Sequence, residues 1–312
     1  MTSIPDIHPV ADPQRPLLSV MIPTYNCAEY LRVTLQSVLL QDLGPAQMQI
    51  EVVDDASTLD DPQGVVNELA PGRVEFFRQL QNAGVTANFN TCLQRSRGLW
   101  VHVLHGDDYV LPGFYELVQR CIAEYPDAGA VITRAIHVDD AGSTLLEEGL
   151  LRDRAGILRD WLPQLFSYNP VRTPSIVVRR EAYERLGGFD ERLRHCTDWD
   201  MWKRVATNYP VVYDPALVAA YRLHGESDTL QLFATGRTFH EFLMSMKLSR
   251  KYLADDQVRP VLLPAFHHLT SVLSGELKRR ISLRDWRAAR ASLRPLVESA
   301  AQYVLYRSHV LR

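Results

Sequence analysis

With 312 residues, 46% of them apolar and 23% charged, the chain has enough material for one large core or two modest ones. This composition excludes disordered, collagen-like and disulfide-scaffold classes. No stretch approaches the roughly 18 uncharged apolar residues of a spanning helix, and the first sixteen residues, with Asp6, Asp12 and four prolines, hold no apolar signal core. A soluble, cytoplasmic chain is the expectation.

Cys27, Cys92, Cys121 and Cys196 form no CxxC pair and have no histidine at zinc-finger spacing, so they read as reduced thiols. The net charge of −3 hides an asymmetry: residues 229–312 hold 14 Lys/Arg against 6 Asp/Glu, or +8, and residues 1–228 carry −11.

Residues 1–16 are proline-rich and read as a flexible tail. Short apolar runs then alternate with helical patterns, which predicts an α/β fold with a largely parallel sheet. Leu17–Ile22 is the first strand, ended by Pro23. Leu31, Leu35, Val38 and Leu39 share a helical stripe, and Met48, Ile50 and Val52 alternate as a strand that stops at Asp54–Asp55. Further strands are expected at Val74–Phe77, Leu99–Leu104 and Ala130–Thr133, with helices near 62–70, 84–95 and 112–124, the last opened by Pro112.

After Ile136 the pattern changes to a hairpin over His137–Leu146, a helix near 157–167 and a strand at Ser175–Val178. Beyond Tyr221 the strands stop. Phe239, Phe242, Leu243, Met246 and Leu253 form one helical stripe, and Leu262, Phe266, Leu269, Leu273 and Leu277 another. Pro264 and Pro295 are expected to bend or bound these helices.

In a parallel α/β sheet, ligands bind at the carboxyl ends of strands. Three such ends are polar here: Pro23-Thr24-Tyr25-Asn26, Asp54-Asp55-Ala56-Ser57-Thr58 and His105-Gly106-Asp107-Asp108. Neither a GxGxxG after the first strand nor a GxxxxGK[ST] is present, which excludes a nicotinamide fingerprint and a P-loop. Adjacent carboxylates at a strand end call for a neutralising charge, and a divalent cation carrying a nucleotide diphosphate supplies one. Asp107 and Asp108 equally suit a helix cap beside a solvated acid.

Taken in order, PTYN, VVDDAST, Asn82-Ala83-Gly84 and HGDD resemble the donor half of the family 2 glycosyltransferases, which have the GT-A fold. The likeness continues through Pro174-Ser175, Arg179-Arg180-Glu181-Ala182, Leu186-Gly187-Gly188-Phe189-Asp190-Glu191, Thr197-Asp198-Trp199-Asp200-Met201-Trp202 and Tyr221-Arg222-Leu223-His224. It covers roughly residues 17–228, with a donor half at about 17–135 and an acceptor half at about 136–228 that carries a smaller sheet. Residues 229–312 are then a separate C-terminal helical region.

The resemblance implies an inverting enzyme that moves a hexosyl or deoxyhexosyl group from a nucleotide-diphosphate sugar, UDP- or dTDP-linked, to a hydroxyl of a glycan or lipid-linked acceptor. Surface polysaccharide or another glycoconjugate is the implied product. Pro23, Thr24 and Tyr25 would line the base and ribose, and Asp54 or Asp55 would hydrogen-bond the base. Asn82, Gly84 and Asn88 would approach the nucleotide. Asp107 would lie near the ribose or diphosphate, and Asp108 would ligate Mg²⁺ or Mn²⁺. His224 would add a metal or diphosphate contact, or only a local hydrogen bond, and Arg222 would neutralise phosphate.

Two positions depart from the pattern: His105 stands where an acid is usual, and Thr197 where the glutamate before the base is usual. Asp198 is the implied general base, though Thr197 and Asp198 also fit a helix cap. Gly188, Trp199 and Trp202 are the implied acceptor contacts, one tryptophan being core. Rival readings are a non-catalytic sugar-nucleotide or glycan-binding module and, against the Gly187–Trp202 block, a nucleotidyltransferase. The C-terminal basic surplus reads either as a face for anionic lipid at the inner side of the plasma membrane or as ordinary helix surface. Nucleic-acid binding is not expected of so acidic an N-terminal domain.

Overall fold

The computed structural model describes residues 4–224 and 237–308. They fall into two compact units. Unit 1 comprises the chain up to Leu158 with Val171–Arg192 and Asn208–His224; unit 2 comprises Arg159–Pro170, Leu193–Thr207 and the C-terminal helices. Unit 2 thus takes in two stretches that the sequence pattern assigns to the acceptor half.

Among the described residues, unit 1 holds one sheet of ten strands. Its parallel half has the order β3 (Glu75–Arg78), β2 (Met48–Asp54), β1 (Leu18–Thr24) and β4 (Trp100–Val103). β1 and β2 are buried along their full length, as strands covered on both faces must be. The covering helices are α1 (Ala28–Leu39), α2 (Pro62–Leu69), α3 (Val85–Arg95) and α4 (Phe114–Glu124).

The later strands join this same sheet. β9 (Ile176–Arg179) runs antiparallel between β4 and β6 (Ala130–Val138), and β6 pairs in parallel with β10 (Val211–Arg222). β5 (Tyr109–Val110) and β8 (Gly156–Ile157) add to β10, while β7 (Thr144–Glu147) closes the expected hairpin on β6. The acceptor-side strands are therefore not a detached sheet, because β9 bridges them to β4.

Three local expectations change. Pro23 does not end β1; it pairs in register with Val53, and its carbonyl accepts from Gly106 N–H at 3.0 Å past the last β4 pair. Its missing N–H thus falls where that ladder has already ended. α4 opens after Gly113, at φ 89°, rather than at Pro112. The N-terminal segment is docked rather than loose: Ile7 is 2% exposed, Pro5 O accepts from Gly188 N–H (2.8 Å) and His8 O from Arg180 Nη2 (2.9 Å). The Gly187-Gly188 pair makes this possible, since a Cβ on Gly187 would meet Ile4 Cγ2 at 2.6 Å and one on Gly188 would meet Asn90 Oδ1 at 2.5 Å. α6 (Arg180–Leu186) ends at that pair.

Unit 2 is helical: α5 (Leu162–Ser167), α7 (Thr197–Asn208), α8 (Arg237–Ser249), α9 (Asp255–Ser282) and α10 (Trp286–Arg307). Both predicted stripes contribute to its core, with Phe239, Leu243, Met246, Leu262, Phe266 and Leu269 buried against Phe166. Pro260 and Pro264 lie inside α9 and Pro295 inside α10, so none of them bounds a helix. Apolar packing on both sides of Pro264 outweighs the lost backbone bond. No helix among the described residues is long and apolar enough to cross a membrane.

Lys203 of α7 is fully buried, its Nζ donating to Ser245 Oγ (2.7 Å) and Ser249 Oγ (2.9 Å) and lying 4.0 Å from the centroid of Trp199. Burial pushes its ammonium down to about 8 from 10.5. Between these values the unfolded chain binds the proton that the folded chain has lost, so folding stability rises with pH. Urea melts of the parent and Lys203→Met should therefore shift in the parent's favour by up to roughly 3 kcal/mol from pH 8 to 10.5. A constant difference would mean that Lys203 titrates normally.

Candidate active site

The site begins where β1, β2 and β4 end. Asn26, at φ 50°, turns the chain after β1, and its side-chain oxygen accepts from Thr58 N–H (2.8 Å) and Leu59 N–H (3.1 Å). Asn26 N–H donates to Ser57 Oγ (2.8 Å), and Ala28 N–H at the start of α1 donates to Asp60 Oδ2 (2.6 Å). These bonds lock the β1 and β2 loops together. Thr24 is buried, with its hydroxyl 2.9 Å from Cys27 Sγ, Pro23 is buried beside it, and Tyr25 is 46% exposed.

The two carboxylates after β2 have different surroundings. Asp54 accepts from Ser57 N–H, from Ser57 Oγ (2.5 Å) and from Arg78 Nη1 (2.9 Å). Asp55 accepts from the amides of Ala83 (2.8 Å) and Gly84 (2.9 Å), while Asn82 Nδ2 donates to its carbonyl (3.3 Å). Burial raises the Asp55 carboxyl above the usual range. Asp55, Asn82 and Gly84, the last at φ 89°, therefore form one assembly at the start of α3. Asn88 lies deeper, its Nδ2 donating to Val53 O (2.9 Å).

The loop after β4 is the most constrained. Thr34 of α1 donates to Gly106 O (3.0 Å) and Asp108 O (2.6 Å). A Cβ on Gly106 would meet Cys27 Sγ at 3.0 Å and Thr24 Cβ at 3.1 Å, so only glycine lets this loop sit against the β1 end. His105 stacks on Phe89 (centroids 5.0 Å apart).

Asp108 is 1% exposed. Its Oδ1 accepts from Arg222 N–H (2.8 Å), while Oδ2 has no hydrogen-bond partner among the described residues and lies 3.6 Å from His105 Nδ1. Burial, and then the charge of Asp107, push the Asp108 carboxyl well above the usual range. Burial pushes Asp107 the same way, but the His224 hydrogen bond and the charges of His105 and His224 bring it below that range. His224 Nε2 donates to Asp107 Oδ2 at 2.9 Å, and this bond raises the imidazole pKa.

Arg222 is nearly buried. Nε donates to Asp107 O (2.9 Å) and Nη1 to Asp139 O (2.9 Å) and Asp140 O (2.8 Å), so the guanidinium ties the β6–β7 hairpin to the Asp107 loop. Tyr30, whose OH donates to Asp140 (2.9 Å), lies 4.9 Å beneath it.

Ligand atoms of His105, Asp107 and Asp108 all lie within 4.8 Å of one another. That spread is comparable to the ~4 Å across a Mg²⁺ or Mn²⁺ ion with bonds of about 2.1 Å. With the unpartnered Asp108 oxygen, these residues fit a divalent cation.

In unit 2, Asp198 lies in the first turn of α7, its Oδ1 accepting from Trp199 N–H (2.6 Å) and its Oδ2 from Asn169 Nδ2 (3.2 Å). Glu241 of α8 accepts the amides of Arg194, His195 and Cys196, which fixes the chain entering α7. Trp199 borders a cavity, whereas Trp202 is 2% exposed and belongs to the core. Gly188 packs beneath Asn90 and Pro5.

Several of these residues escaped the sequence reading. Thr34 had a signal, a polar residue on the buried stripe of Leu31, Leu35 and Val38. Asn169, Arg78 and Glu241 had none, since their partners are distant in sequence.

The family model described as glycosyl transferase family 2 matches residues 19–187. An uncharacterised Mycobacterium tuberculosis protein is 30% identical over 237 residues, covering 72% of this chain and 73% of the relative. Escherichia coli chondroitin synthase is 25% identical over 75% of this chain, which spans about a third (33%) of that enzyme's length. The structure of Staphylococcus aureus TarS residues 1–349 in complex with UDP-GlcNAc aligns with a TM-score of 0.72 at 16% identity, covering 93% of this chain and 81% of that one. The mannosyltransferase PcManGT from Pyrobaculum calidifontis, in complex with GDP-Man and Mn²⁺, aligns with a TM-score of 0.56 at 19% identity, covering 96% and 90%. The fold is thus the GT-A arrangement with added C-terminal helices, and with more than half of its length matched by the family model, this chain belongs to glycosyl transferase family 2.

Proposed function

We propose that this chain is an inverting transferase that moves one hexosyl or deoxyhexosyl group from a UDP- or dTDP-linked donor to a hydroxyl of a glycan or lipid-linked acceptor, in the synthesis of surface polysaccharide or another glycoconjugate. The observation that carries this reading is the His105–Asp107–Asp108 group at the end of β4, with an unpartnered Asp108 oxygen, in a family 2 chain. The UDP-GlcNAc in TarS and the polymer-forming chondroitin synthase support the donor and product classes.

His105, Asp107 and Asp108 would hold a divalent cation, which would supply positive charge for the leaving diphosphate. One nitrogen among oxygen ligands favours Mn²⁺ over the strictly oxygen-seeking Mg²⁺. His224 orients Asp107, and Arg222 fixes the loop that carries both aspartates while its charge faces the same anionic ligand. Pro23, Thr24 and Tyr25 border the base and ribose, and Asp55 holds the Asn82–Gly84 turn against the nucleotide, with Asp54 and Asn88 supporting it from below. Asp198 accepts the acceptor's proton as its oxygen attacks the anomeric carbon, and Trp199 stacks on the acceptor.

The basic C-terminal helices rest on an anionic lipid surface. Trp286, Leu293, Val297 and Val304 of α10 are 46–66% exposed. At 100° per residue they fall within about 20° of one line along the helix, and Arg290 and Arg294 lie about 40° and 80° to one side of that line.

Asp108→Ala should abolish turnover and remove the Mn²⁺-dependent part of nucleotide affinity while the melting temperature stays near that of the parent. Undiminished turnover would rule out the metal assignment.

Asp198→Asn keeps an oxygen for Trp199 N–H but not the basicity. Donor binding should persist while transfer falls by roughly 10²-fold or more, with inversion at the anomeric carbon of the parent's product. Near-normal transfer by the variant, or retention in the product, contradicts the mechanism.

For attachment, the parent should co-sediment with phosphatidylglycerol vesicles and the double variant Leu293→Glu, Val297→Glu should not. A parent that stays in the supernatant ends the lipid reading.

A further inference from the structure

His105 lies on the loop after β4, its Nδ1 3.6 Å from the unpartnered Oδ2 of Asp108. An imidazole serves a cation only when one ring nitrogen points at it. The second torsion of a histidine side chain is broad and weakly restrained, so a partly open ring turns unless something holds its face. The His105 side chain is 26% exposed, which leaves room for that turn.

Phe89 supplies the hold. The two rings stack with centroids 5.0 Å apart and planes 26° apart. Phe89 stands in the second turn of α3 and is itself 3% exposed. Phe189, fully buried, meets it edge-on at 5.3 Å, and Tyr183 of α6 lies 6.0 Å from Phe189. Asn90, the next residue of α3, grips the Phe189 backbone twice: its Oδ1 accepts from Phe189 N–H (2.7 Å) and its Nδ2 donates to Phe189 O (3.1 Å). Gly188 N–H is taken up by Pro5 O (2.8 Å). The phenyl ring against His105 therefore has a fixed backing. Because α3 begins at the turn that Asp55 holds through the amides of Ala83 and Gly84, one helix fixes both that turn and the imidazole.

We propose that Phe89 is the positioning residue for the His105 ligand, and that through this stack it sets the site's preference for a transition-metal ion over Mg²⁺. The inference rests on the metal assignment made above and adds to it what keeps the nitrogen in the ligand set. Asp107 and Asp108 alone would offer carboxylate oxygens, which suit Mg²⁺; an imidazole held in place favours ions further along the divalent series, such as Co²⁺. A phenylalanine that only filled space would need its volume and not its ring plane, and that difference is what the test reads.

The full chain is titrated calorimetrically with Co²⁺ and with Mg²⁺, with equal UDP in cell and syringe. Phe89→Leu, which is apolar and lacks the ring, should bind Co²⁺ about tenfold more weakly and Mg²⁺ less than about threefold more weakly, the loss expected when a contact that orients a ligand histidine is removed. Phe89→Tyr, which restores the ring, should keep the parent's preference. In a His105→Ala background, where that preference is already gone, Phe89→Leu should change neither affinity, because the cycle isolates what passes through the imidazole. Unchanged Co²⁺ affinity in a folded Phe89→Leu, equal losses for both ions, a full further loss in the His105→Ala background, or a Tyr variant no better than Leu overturns the proposal. Should Phe89→Leu fail to fold, Phe89→Met supplies a ringless side chain and is read in the same way. A parent that binds no Co²⁺ refutes the metal assignment and this inference with it, whereas binding with an additive cycle refutes only the role of Phe89.

Discussion

Two carboxylates on consecutive residues, one 1% exposed and the other hydrogen-bonded to His224, set the terms for the rest of unit 1. Burying a carboxylate costs several kcal/mol even after relaxation, and a like charge beside it adds to that. A single neutral hydrogen bond returns only about 1 kcal/mol, so no one contact holds the pair in place. The fold answers with many. Thr34 fixes the loop from α1, the Arg222 amide and guanidinium hold it from β10, and Gly106 lets it press against the end of β1. One oxygen of Asp108 is left over, and the loop as a whole is rigid and short of positive charge at that atom. Such an arrangement is costly alone and would be favourable around a cation, as the proposed metal site requires.

The same logic separates Asp54 from Asp55, which a motif treats as one unit. Asp54 has an arginine and a serine as partners and serves the architecture of the β2 end. Asp55 instead gathers two amides from the turn before α3, an arrangement that carries the turn to wherever the strand end points. A parallel strand directs successive side chains to opposite faces, so neighbours in sequence face different surroundings.

How far the site was legible follows from where each residue's partners lie. The strand-end runs were visible because each is contiguous and sits at a predictable place in a parallel sheet; β2, α2 and α3 appeared within a residue or two of their expected bounds. Pro23 was misread because whether a proline ends a strand depends on the neighbouring ladder, which a single sequence does not display. Whether Pro264 and Pro295 bound their helices was open for the same kind of reason, since packing in unit 2 decides whether a helix survives a missing bond, and both lie inside. The tryptophans near Asp198 looked alike in sequence. Only Leu165 and Phe242, distant along the chain, single out Trp199 for the cavity wall and leave Trp202 to the core.

The proposed single displacement asks above all that Asp198 hold a fixed direction. Its carboxylate accepts one bond from the α7 amide and one from Asn169, and it stands in the first turn of a helix. These bonds fix the direction of the group. In the proposed mechanism a modest base suffices if the proton moves late, because the acceptor hydroxyl becomes strongly acidic as its oxygen bonds to the anomeric carbon. Orientation is then the scarcer quantity, and the helix start is where this fold provides it. Glu241, by gathering three amides just before α7, holds that start in place without touching the carboxylate itself.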